Sequence, residues 1–138
     1  MNNALKYLFL IFSFMFVTFS FAQEVRSQSG KREGRWNGDS FRDNSGRLVY
    51  RMDSNGNIRD ASGRLVMRFS NGTFRDASGR SVGRISDKGE VRSDNGRLLG
   101  RISDKGEVRN ASGSLMGRVG SLSKEQAAVT FFFWDSIQ

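Results

Sequence analysis

The decapeptide Gly83-Arg84-Ile85-Ser86-Asp87-Lys88-Gly89-Glu90-Val91-Arg92 returns letter for letter from Gly100 to Arg109. Looser copies carry the same marks at a period of 16 to 17 residues. A unit this short cannot bury a core alone, so neighbouring units must share one. Three marks keep register. A turn glycine stands at Gly46, Gly63, Gly79, Gly96 and Gly113. An apolar–Arg pair stands at Phe41-Arg42, Ile58-Arg59, Phe74-Arg75, Val91-Arg92 and Val108-Arg109. An Arg–apolar pair stands at Arg35-Trp36, Arg51-Met52, Arg68-Phe69, Arg84-Ile85, Arg101-Ile102 and Arg118-Val119.

Each unit holds two short strands and two turns. One turn reads Asp53-Ser54-Asn55-Gly56 or Ser86-Asp87-Lys88-Gly89; the other reads Asp60-Ala61-Ser62-Gly63 or Asn110-Ala111-Ser112-Gly113. Glycine suits the left-handed backbone of such turns, and Asp, Asn and Ser bond nearby backbone groups. Turns at both ends of every strand predict an antiparallel meander. Strict alternation places Leu48/Tyr50/Met52, Leu65/Met67/Phe69, Ser81/Gly83/Ile85, Leu98/Gly100/Ile102 and Leu115/Gly117/Val119 on the inner face. Glycine inside a strand costs stability unless something must come close there. Gly83, Gly100 and Gly117 therefore predict a packed element against them, with the Tyr50–Met67 side filled differently. The first unit is one residue longer between Gly38 and Phe41 than between Gly56 and Ile58, which predicts a bulged first hairpin.

The tail supplies the packed element. Ser123 and Gln126 fit a capping box, and Ala127 to Trp134 reads as apolar on every side, as a segment buried all round would be. From Lys124 to Trp134 a helix is about 16 Å long, near the height of a ring of five-residue strands. A final buried strand competes with this reading, favoured by Val129, Thr130 and the three Phe. A parallel solenoid with 17-residue coils also fits the period, but it would stack equivalent arginines directly. The fold class predicted is mainly β: an antiparallel β-hairpin meander closed into a shallow pseudo-symmetric barrel around one C-terminal hydrophobic helix.

Repeats of the form Gly-Arg-Ile-Ser-Asp-Lys-Gly-Glu-Val-Arg-Asn-Ala-Ser-Gly, followed by Ala127-Ala128-Val129-Thr130-Phe131-Phe132-Phe133, resemble the bacterial β-flower proteins, specifically their four-fold group. The resemblance covers Gly34 to about Trp134. It implies β-hairpin petals around a hydrophobic C-terminal helix. It implies no activity and carries over no catalytic or binding residues.

Ahead of the repeat, Lys6 precedes an apolar run from Tyr7 to Phe21, and Ser20-Phe21-Ala22 offers small residues for a signal peptidase. The expected organisation is a signal peptide over residues 1–22, a flexible spacer over 23–33, the repeat barrel over 34–120, and the plug helix and tail over 121–138. The chain is then exported to a periplasmic, cell-surface or extracellular place. Without cysteine it has neither disulfides nor a lipoprotein anchor.

The absence of His and Cys removes the commonest general base, the thiol nucleophiles and the usual zinc ligands. Paired carboxylates can cleave glycosides, but the acids here are copied from turn to turn, whereas a catalytic pair is unique. No catalytic residues, metal or cofactor are expected, and a glycan-active enzyme is the least supported reading. Asp53 to Asn57 is spaced like a calcium loop, yet Ile58 and Arg64 occupy the places of its required Gly and Glu. The formal charge of +8 favours anionic partners. Arg51, Arg68, Arg84, Arg101 and Arg118 form one row and are the candidate anion-binding residues; Arg42, Arg59, Arg75, Arg92 and Arg109 form a second. These rows either pair with Glu90, Glu107 and the turn aspartates, or grip an anionic polysaccharide or lipid headgroup. Nucleic acid is not expected, because aromatic interleaving is missing. Phe131 to Trp134 could insert into a membrane, but a ring needs filling, which favours core. The reading is a monomeric, exported, non-enzymatic structural or binding protein of the bacterial cell envelope, with binding of anionic glycan or lipid headgroups as the alternative.

Overall fold

The computed structural model describes residues 23–27, 32–120 and 122–135. The proposed signal peptide lies outside them. Twelve strands follow from the turns: β1 (Gln23–Ser27), β2 (Arg32–Asn37), β3 (Ser40–Asp43), β4 (Leu48–Met52), β5 (Asn57–Asp60), β6 (Leu65–Ser70), β7 (Thr73–Asp76), β8 (Ser81–Ile85), β9 (Glu90–Ser93), β10 (Leu98–Ile102), β11 (Glu107–Asn110) and β12 (Leu115–Val119). Each pairs antiparallel with its neighbours in sequence, and β1 pairs with β12, so the sheet closes into a barrel with no free edge. The meander and its closure are as the repeat predicts, and the solenoid is excluded.

The spacer assignment for residues 23–33 is corrected. Gln23–Ser27 is the strand that closes the ring, with Val25 opposite Val119 and buried. β2 also begins before Gly34, at Arg32. The segment looks polar because, among its described residues, Val25 alone is buried. Glu24-Val25-Arg26-Ser27 in fact repeats Glu90-Val91-Arg92-Ser93, so the repeat reaches back to the first strand.

The inner-face assignment holds for Tyr50, Met52, Met67, Ile85, Ile102, Val119 and the strand glycines, which are buried, and is corrected for the first residue of each set. Register shifts by one residue wherever an odd strand meets the even strand that follows it in the chain, as between Val91 and Gly100 on one side and Arg92 and Leu98 on the other. A bulge of this kind inserts one residue and turns the side chains before it to the other face. Leu48, Leu65, Ser81, Leu98 and Leu115 lie opposite Arg42, Arg59, Arg75, Arg92 and Arg109 and share their outer face. Val49, Val66, Val82, Leu99 and Met116 pack against the core instead. The first hairpin carries no bulge: Gly34 to Asn37 pair continuously with Asp43 to Ser40 across a two-residue turn. Its extra residue lengthens the strand. Asn71-Gly72 makes the other two-residue turn, with φ of 50° and 79°, the left-handed pair that such hairpins require.

The two rims differ. At the upper rim, the turns that follow even strands overlap the next hairpin. Backbone N–H groups of Met52, Phe69, Ile85, Ile102 and Val119 donate to the carbonyls of Asp39, Gly56, Gly72, Gly89 and Gly106 at 2.7–2.9 Å. At the lower rim, Asp43 Oδ1 accepts from the backbone N–H of Ser45 and of Arg47, both at 3.0 Å, and from the Ser45 hydroxyl. Asp60, Asp76 and Asn110 repeat the arrangement.

The interior is filled by the tail. Helix α1 (Lys124–Ala128) starts at Ser123 with the capping box formed in both directions, and continues into a π-helical turn, Val129–Phe133. The buried-strand alternative is excluded. Lys124 Nζ pairs with Asp104 at 2.7 Å, and Gln126 Nε2 donates to Gly38 O at 3.0 Å, fixing the helix start at the upper rim. The glycine prediction holds: a Cβ on Gly83, Gly100 or Gly117 would sit 2.6 Å from Phe133 Cζ, 2.6 Å from Phe132 Cζ and 2.8 Å from Phe131 Cε1. An i→i+5 turn advances less per residue than an α-helix, so consecutive Phe residues address consecutive units of the ring. On the opposite side Tyr50 meets Trp134, with ring centroids 4.3 Å apart, and stacks on Phe41. Phe133 is buried and its aromatic neighbours are half-buried against the core, so the cluster is filling and not an insertion tip.

Candidate functional site

Alternation along each strand decides what the outer wall carries. The residues between the buried ones are Arg51, Arg68, Arg84, Arg101 and Arg118 on even strands, all exposed. On odd strands they are Arg42, Arg59, Arg75, Arg92 and Arg109. The two rows meet. Arg51 lies directly opposite Arg59, Arg68 opposite Arg75, Arg84 opposite Arg92, and Arg101 opposite Arg109. Arg35 opposite Arg42 and Arg118 opposite Arg26 complete the girth. Like charges set directly across a sheet repel, so the antiparallel fold does not avoid the like-charge contact that counted against a solenoid.

The second row relieves that repulsion. Arg42, Arg59, Arg75, Arg92 and Arg109 each donate from a guanidinium nitrogen to the turn carbonyl four residues on, Gly46, Gly63, Gly79, Gly96 and Gly113, at 3.0–3.2 Å. These arginines brace the lower-rim turns. The first row has no such bond, and its charge faces solvent.

What lies at the seam between hairpins is not uniform. Glu24, Glu90 and Glu107 face Arg35, Arg101 and Arg118. Glu90 pairs with Arg92 at 3.2 Å and Arg101 at 3.5 Å, Glu107 pairs with Arg109 at 3.1 Å, and Glu24 pairs with Arg26. The corresponding places facing Arg51, Arg68 and Arg84 hold Ser40, Asn57 and Thr73. The three neutral seams are consecutive. Among the described residues Arg42, Arg51, Arg59, Arg68, Arg75 and Arg84 take part in no ion pair. In the two wall rows, pairing with acids is thus confined to one side of the ring; on the other the ion pair is at a rim turn, Arg64 with Asp60 at 3.4 Å. Sequence reasoning missed the division, although it is written in one letter per unit: the residue before each apolar–Arg pair.

Four further carboxylates, Asp43, Asp53, Asp60 and Asp76, are bonded into turns, and Asp104 pairs with Lys124. The Ser45, Ser62 and Ser78 hydroxyls, with the turn N–H groups, hold Asp43, Asp60 and Asp76 below the usual carboxylate range. Asp53, the head of the calcium-like segment, accepts from the backbone N–H of Asn55 and Asn57 at 2.9 Å and is an ordinary turn residue. A carboxylate with a depressed folded pKa contributes stability above its unfolded pKa and loses it as pH falls through the folded value. The urea midpoint is therefore expected to fall once pH drops below about 4. Asn110 already makes the same turn bonds without a charge, so Asp60→Asn with Asp76→Asn should shrink that fall. An unchanged acid profile in the double variant would show that these turns do not set it.

One buried polar cluster lies inside the ring. Thr130 Oγ1 donates to Gln126 O at 2.9 Å and accepts from Trp36 Nε1 at 3.1 Å, so the Tyr50 hydroxyl, 2.7 Å away, donates to it. Burial pushes the Tyr50 phenol upward, and the phenol stays protonated. Every buried polar atom in the cluster is satisfied, and the cluster orients the plug. Among the described residues no group of three or more His, Cys, Asp or Glu is placed to hold a metal, and no helix is long and apolar enough to cross a membrane.

A family model described as 5-fold beta-flower protein matches residues 22–135. No curated protein and no solved structure gives a match.

Proposed function

The chain belongs to the 5-fold beta-flower family, not the four-fold group it resembles in sequence, and from that premise we propose that it is an exported, non-enzymatic binding protein of the cell envelope whose arginine wall holds an anionic ligand. The observation that carries this reading is the first arginine row: equivalent guanidinium groups, exposed and unbraced, repeated around a rigid closed barrel. Guanidinium forks suit carboxylate, sulfate and phosphate oxygens. The commitment of Asp43, Asp60 and Asp76 to their turns supports a non-enzymatic role, since those acids are not held together in a cleft.

Retention on immobilised anionic and neutral polymers tests the reading. Between about 0.01 M and about 1 M salt the screening length falls from about 30 Å to about 3 Å. Retention on the anionic matrix should be lost across that range, with none on the neutral one at any salt. Binding indifferent to salt, or no binding at all, would remove the arginine wall as the binding element.

A further inference from the structure

Resting on the anion-binding reading above, we propose that the ligand is a linear acidic polysaccharide, and that it lies along only half of the girth, from β3 to β8. Three observations place it there. The seams between β3 and β4, β5 and β6, and β7 and β8 carry Ser40, Asn57 and Thr73, where the other three carry glutamate. Arginine pairs recur every two strands around the girth, about 10 Å at the usual strand spacing, and in this arc Arg42, Arg51, Arg59, Arg68, Arg75 and Arg84 form no ion pair among the described residues, which leaves a regular line of uncompensated charge. The lower-rim acids of the arc are each followed by a compensating arginine, Arg47, Arg64 or Arg80, and are bonded into their turns.

A fourth observation separates a polymer from a simple ion. Ser81 stands where the other units have Leu48, Leu65, Leu98 and Leu115. A groove reaches Ser81, lined by Arg64, Arg80 and Ser81 with Leu65, Val66 and Val82 beside them, and with Asp76, which is bonded into its turn, and Asp94 also in its lining. Apolar floor flanked by hydroxyl and guanidinium groups suits a sugar ring bearing a carboxylate or sulfate. A membrane fits the arc less well. The wall is convex, so a flat surface meets few of its arginines, while a flexible chain can follow it. The aromatic side chains that an interface would anchor are Phe131 to Trp134, and those pack inside the barrel.

The test compares two variants that each remove two positive charges from the first row. Arg51→Gln with Arg68→Gln lies in the arc; Arg101→Gln with Arg118→Gln lies opposite the glutamates. Both are checked for an unchanged cooperative melt and titrated with a soluble polyuronate. The arc variant should lose affinity at least tenfold and the other less than twofold. Thr73→Glu, which writes the acidic seam into the arc, should weaken binding as well. Equal losses in the two arginine variants would overturn the arc while leaving the anion-binding reading intact. Failure of the unaltered chain to bind any acidic polymer would overturn both. Vesicles of anionic lipid that bind the chain as tightly as the polyuronate, at matched charge and salt, would overturn the choice of a polysaccharide.

Discussion

A chain ended after Ser123 is expected to lose its fold outright. The truncation removes Ala127, Ala128, Val129 and Phe133, all buried, together with Phe131, Phe132 and Trp134, which pack against the same core. Deleting one buried Phe side chain costs about 3–5 kcal/mol, and a domain of this size has about 5–15 kcal/mol in total. Several such losses exceed that margin. The Trp36 N–H and the Tyr50 hydroxyl would also lose Thr130, their shared partner. Far-ultraviolet circular dichroism and a thermal melt decide the matter: the truncated chain should show no cooperative transition. A transition at the temperature of the full chain would mean that the ring holds itself up and the helix only occupies it.

Gly100→Ala carries the second large effect. Its Cβ would meet the Phe132 ring 2.6 Å away and also press on the backbone carbonyl of Arg109 across the strand. A ring can shift; a carbonyl held in the ladder cannot without breaking register. Overpacking of this kind costs about 1–3 kcal/mol and sometimes more, and with two obstacles at one atom the upper end applies. Gly113→Ala is the control. It stands at φ 92° with nothing within 4 Å, so only the left-handed backbone is strained, at about 1–2 kcal/mol. In urea the Gly100 variant should unfold at a clearly lower concentration than the Gly113 variant. The reverse order would show that turn geometry, and not the packing of the helix on bare strands, limits this barrel.

Much of this was legible from residue order. The period fixes two strands per unit, the turn residues fix their direction, and Ser123 with Gln126 fixes where the helix starts. The bare glycines at Gly83, Gly100 and Gly117 point at whatever packs on them, and the Phe residues of the tail are what does. What could not be read was any feature depending on a cross-strand neighbour. Leu48 and Val49 are both apolar, and only a bulge against β3 decides which faces the core. Arg51 and Arg59 are eight places apart in sequence and directly opposite in space. The division of the wall into acidic and neutral seams shows itself only after the strands are paired, because Glu90 matters to Arg101 through that pairing. The π-helical turn has no signature in Val129 to Phe133; it follows from the spacing of the glycines that those rings must reach.

The closure of the ring by β1 has a consequence for the order of assembly. Eleven of the twelve contacts between strands join neighbours in sequence and form by local collapse. The twelfth joins Val25 to Val119, across nearly the whole described chain. Until that contact forms, β1 and β12 each present an open edge, and the aromatic tail has no complete ring to enter. Local steps are fast and distant ones slow. The pace of folding is therefore set by one meeting, that of the first strand with the twelfth, while every other strand contact is local.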